Sequence, residues 1–67
     1  MEHSIFIEAS DHKIQAIKEI LISKKIKFTT PWSSNNLEFT NKNSCIRASR
    51  IVFKYISEIA SLQIEIN

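Results

Sequence analysis

The side chains of this 67-residue chain that could ligate a metal, attack a substrate or move a proton are few: two histidines, His3 and His12, one cysteine, Cys45, and seven scattered carboxylates. A zinc site takes its cysteines and histidines in close pairs, so that one turn presents two ligands to the ion. His3, His12 and Cys45 have no such pairing. Catalysis needs a nucleophile, a base and an orienting group in complementary roles, and no local signature joins the serines, histidines and acids of this chain. Glycine is absent altogether, and with it any phosphate-cradling loop or dinucleotide fingerprint. The sequence therefore predicts no catalysis, no cofactor and no metal.

What remains is binding. A chain of this length makes one domain, residues 1–67, and buries only roughly 60% of the surface its unfolded form exposes. Such domains often need a disulfide, a metal or a partner. Cys45 has no second cysteine to pair with, which also fits a reducing, cytoplasmic setting. A partner is the remaining support. No run approaches a membrane span, and "MEHSIFIEAS" is too broken by charge to read as a signal peptide. Net charge is +2, too small alone to argue for nucleic acid.

The elements that would carry a binding surface follow from periodicity. "HSIFIEAS" alternates around Ile5 and Ile7 and predicts a strand over about 4–9. Ser10 or Asp11 then caps a helix over about 11–24, with Ile14, Ile17 and Leu21 facing inward and Ile20 close by. "IKFTT" predicts a second strand at 26–30, ended by Pro31, which has no N–H to give a ladder. "LEFTN" predicts a third at 37–40, joined to the second as a hairpin. Trp32 in the connecting loop is either a binding anchor or a lid on a core edge. With no glycine, left-handed turn positions should fall to Asn35, Asn36, Asn41 and Asn43.

Asn43 or Ser44 should cap a second helix, about 44–61. Cys45, Ala48, Ile51, Val52, Tyr55, Ile56 and Ile59 form its core face. Arg47, Arg50, Lys54, Ser57 and Ser61 lie opposite, and Ile46, Phe53 and Ala60 make a second apolar strip on the border. Ile46, Arg47, Arg50, Phe53 and Lys54 are thus the candidate partner contacts. "SLQIEIN" fits either a continued helix or a strand, since Leu62, Ile64 and Ile66 alternate. The predicted class is α+β: a small antiparallel sheet with both helices on one face.

Two resemblances bear on function. "IFIEAS" is similar to the first short motif of RRM domains, with Phe6 as a stacking residue, and a strand-like tail would complete the RRM order of elements. The second RRM motif is missing, and Glu38 on the same face would repel phosphates. "SCIRASRIVFKYISEIA" resembles the S-x-x-R-A-S signature of the Pcc family, through Ser44, Arg47, Ala48 and Ser49. These are the smallest subunits of the KEOPS (EKC) complex. The order of elements agrees over nearly the whole chain, while Ile51 replaces an asparagine often found in the family. The resemblance implies a non-catalytic subunit that dimerises through its sheet, with itself or a paralogue. It would present helices to the catalytic subunit, which transfers a threonylcarbamoyl group to adenosine in tRNA. On this reading Lys24, Lys25 and Lys27 are candidate tRNA contacts. A small stand-alone inhibitor or adaptor, for example a phage-encoded one, is the alternative.

Overall fold

A computed structural model describes residues 3–66. Their elements run β1 (His3–Glu8), α1 (Asp11–Ser23), β2 (Asn36–Glu38), α2 (Lys42–Phe53), a 3-10 turn (Ile56–Glu58) and β3 (Ser61–Ile66). The sheet is antiparallel, in the order β2-β1-β3. Ile5 pairs with Leu37 on one side and Ile64 on the other, so these side chains share one face of the sheet. That face meets the helices: Ile5, Ile7 and Leu37 are fully buried with Ile14, Ile17 and Leu21 of α1 and Cys45, Ala48 and Val52 of α2. The α+β class expected from periodicity is the observed one.

Ser10 caps α1: its backbone is extended, and its hydroxyl oxygen accepts the Lys13 N–H at 3.3 Å. The other end of α1 explains a departure from expectation. Lys25 adopts φ 60, the left-handed region; among the described residues it is the one non-glycine position with positive φ. The Lys25 N–H donates to the Ile22 carbonyl and the Ile26 N–H to the Leu21 carbonyl, both at 2.9 Å. This is a Schellman cap, closed by apolar Leu21 and Ile26, with lysine where glycine is usual. None of the four asparagines expected at left-handed positions takes that role.

The cap also undoes most of the strand expected at 26–30. Ile26 is tied back to the helix end, and Pro31 has no donor at the far end. Only Thr29 reaches β2, exchanging two hydrogen bonds of 2.9 and 2.8 Å with Glu38. The third strand, expected at 37–40, is shorter and earlier, Asn36–Glu38. Even so, the order is strand, helix, hairpin, helix, strand, with the hairpin's first limb outermost: a split β-α-β plan.

α2 differs more. Its cap is Asn41, extended at φ −137, whose side-chain oxygen accepts the Ser44 N–H at 2.8 Å. Neither Asn43 nor Ser44 is the cap. The helix ends at Phe53, well short of residue 61. No proline or glycine stops it. The tail is a strand because Leu62, Ile64 and Ile66 pair alternately with Ile7, Ile5 and His3, covering a free edge of β1. The Ala60 N–H opens that ladder on the Glu8 carbonyl at 2.8 Å. Ala60 is therefore off the helix, and the apolar strip of α2 stops at Phe53.

Candidate partner-binding site

The first candidate surface is the outward side of α2. Ile46, Arg50 and Phe53 follow one helical row at spacings of four and three, flanked by Arg47 and Lys54. Ile46 is half-buried, and Arg47, Arg50 and Lys54 are exposed. Phe53 is 53% exposed although the facing side of the same helix is sealed in the core. Ile56, expected on the core face, is turned out as well, because the helix has already ended. Tyr55 and Ile59 do pack partly against the core.

The pairing places other groups at this end of the sheet. Glu8 of β1 pairs with Ser61 of β3, and Asn36 pairs with Phe6. The hairpin loop carrying Trp32, the start of α1 and the end of α2 therefore all cluster beyond the same strand ends. Trp32 is 78% exposed, so it is no lid on the core. The Lys13 ammonium and the Glu58 carboxylate meet at 2.7 Å, fastening the first turn of α1 to the 3-10 turn after α2.

The four signature residues divide by role. Ala48 is fully buried, and the Ser49 hydroxyl donates to the Ile46 carbonyl at 2.8 Å. The Ser44 N–H is the one bonded by the cap. Packing and helix geometry account for Ala48 and Ser49; the Ser44 bond is made by its backbone and would serve any residue there. Arg47 alone projects outward with no fold-level task.

The lysines lie at the opposite end. Lys24 is the C-cap of α1, Lys25 holds the left-handed position, and Lys27 follows on the splayed segment. A ladder continuing from the Thr29–Glu38 pair would set Lys27 against Thr40, and that rung is unmade. An open groove of about 830 Å³ lies there. Ile22, Ile26 and Phe28 supply its apolar wall; Lys25, Lys27, Thr29, Glu38 and Thr40 supply the rest. Sequence reasoning missed this groove. Ile22 was its only signal, an isoleucine lying outside the inward row of Ile14, Ile17 and Leu21, and it is 63% exposed.

The outer sheet face holds Phe6 between Asn36 and Gln63, as expected for an outward position. Glu8, Glu38 and Glu65 share that face by register, and no lysine or arginine lies on the three strands. Glu38 is 4% exposed. Such a face repels a phosphate backbone.

The cysteine and the histidines lie apart among the described residues. Cys45 is buried, and burial pushes its thiol pKa up, away from the reactive thiolate. His12 is exposed on α1, while His3 begins β1 at the other end, its Nδ1 buried without a partner among the described residues. No group of three potential metal ligands forms among the described residues, and no helix there is long and apolar enough to cross a membrane. Comparison with known protein families, curated proteins and solved structures finds no match.

Proposed function

We propose that this chain is a non-catalytic partner-binding module that docks through the outward side of α2. One observation carries the reading: Phe53 stands out of a helix whose opposite side is buried, with Arg50 in its row and Arg47 beside it. An aromatic anchor rimmed by arginine is the composition of interface hot spots. Ile46, Arg47, Arg50 and Lys54 complete the contact.

Within this reading, the Pcc-like signature supports a small subunit of the KEOPS complex, with Arg47 facing the catalytic subunit. Dimerisation then uses the outer edge of β3, a six-residue strand that among the described residues pairs with β1 alone. The end of α2 at Phe53 and the strand tail depart from the long final helix of that family, and favour the stand-alone adaptor as the second reading. The RRM-like reading has Phe6 in its favour and three glutamates on the same face against it.

Co-elution with the purified KEOPS catalytic subunit tests the specific reading. Expected is a complex with the wild-type chain and none with Phe53→Asp. No complex with either would remove the KEOPS assignment and leave the adaptor. Sedimentation of the chain across a concentration series tests the dimer, which a monomer at all concentrations would exclude, alone and mixed with a paralogue.

A further inference from the structure

We infer that the hairpin edge, residues 26–30, is a strand-addition site for an extended peptide in which apolar and acidic residues alternate. It lies on a different surface from the α2 row and stands independently of it. Thr29 exchanges both backbone bonds with Glu38, so its N–H and C=O point into the sheet. The backbone groups of Phe28 and Thr30 therefore point out of the sheet, and none of them is bonded within the described residues. An added strand would satisfy them, as in known β-augmentation complexes.

Side-chain parity sets the chemistry of the occupant. Ile26 and Phe28 lie on the helix side, where exposed Ile22 extends the apolar wall of the groove. Lys27 and Thr29 lie on the other side. Side chains of an added strand alternate in step. One set meets Ile22 and Phe28 and is apolar; the other meets Lys27, with Lys25 lining the same groove, and is acidic. Glu38 lines the same groove but is 4% exposed, whereas Lys25 and Lys27 are exposed, so the lysines set the charge an added strand meets. A second copy of this edge would bring the same lysines and no exposed acid of its own, so charge favours a different, acidic partner. Pro31 ends the site by offering no donor.

The experiment titrates the full chain with a peptide of alternating valine and glutamate, and with a peptide of the same composition in blocked order. Amide exchange is read by NMR. Expected is saturable binding of the alternating peptide, with new protection at Phe28 and Thr30 and little change at Thr29. Lys27→Glu and Ile22→Asp, both at exposed positions, should each weaken binding by about tenfold with the fold retained. Phe53→Asp should leave it unchanged, which separates this site from the α2 docking surface. Absent binding, equal binding of the blocked peptide, or binding without protection at Phe28 and Thr30 would each overturn the inference. So would peptide-free protection that rises with protein concentration, which marks a second copy on the edge.

Discussion

Lys13 in the first turn of α1 and Glu58 in the turn after α2 hold each other at 2.7 Å, across 45 residues of sequence. The pair links two elements that the Glu8–Ser61 pairing already brings to one end of the sheet. It adds a side-chain tie between α1 and the 3-10 turn that carries Ile56.

Both partners remain partly exposed, so the pair contributes little to stability. Glu58→Ala should lower unfolding free energy by only about 0.5 kcal/mol, and the difference should shrink in high salt. Denaturant titrations at low and high salt measure it. The larger effect should be local, as faster amide exchange at Glu58 and Ile59, whose N–H groups close the turn on Tyr55 and Ile56.

Lys25 bears a conformational cost that glycine would not. Left-handed backbone disfavours a residue with a Cβ by roughly 1–2 kcal/mol, partly offset by the extra freedom glycine has when unfolded. Lys25→Gly should therefore stabilise the chain by about 0.5–1 kcal/mol. Lys24→Gly, one residue earlier at φ −93, should destabilise it. Thermal melts of the two variants should shift in opposite directions. Equal shifts would show that charge, and not φ, decides.

The same cap marks where the sequence stops being legible. Ile5 and Ile7, Ile14, Ile17 and Leu21, and Cys45, Ala48 and Val52 were readable as core because period 2 and period 3.6 mark them locally. Strand 26–30 alternates just as well, yet its pairing was lost to a cap immediately upstream, whose Lys25 carries no turn signal. The end of α2 was equally hidden. Ile51 to Ile59 suits a helix; only the long-range pairing of Leu62, Ile64 and Ile66 with β1 decides the tail. At the candidate sites, Phe53 was legible as a border residue. The groove was not, because it exists through a rung that fails to form.

Phe53 and its neighbour Val52 give the sharpest test of the α2 surface. Val52 is fully buried and Phe53 about half exposed. An unpaired charge costs several kcal/mol in the core and little outside it. Val52→Asp should unfold the chain or lower its stability by about 3–5 kcal/mol. Phe53→Asp should keep the circular dichroism spectrum and melting temperature nearly unchanged while abolishing partner binding. A Phe53→Asp variant that unfolds would reassign the side chain to the core. One that folds and still binds would move the docking surface elsewhere.

The last prediction concerns Lys24, Lys25 and Lys27, which the fold gathers where α1 hands over to the hairpin, with Lys42 at the start of α2 toward the same end. On the KEOPS reading, an assembly that grips tRNA needs phosphate contacts, and each contact releases counterions and steepens the salt dependence of binding. Changing the three lysines to alanine should weaken tRNA binding by the assembled complex. The loss should be similar for different tRNA sequences, because phosphate contacts position without reading bases. The slope of log affinity against log salt should become shallower by about two to three units if all three lysines pair. Lys25 and Lys27 also line the groove, so the measurement has a second informative outcome. Unchanged tRNA affinity and slope, together with lost binding of the alternating acidic peptide, would assign these lysines to a protein partner and not to RNA.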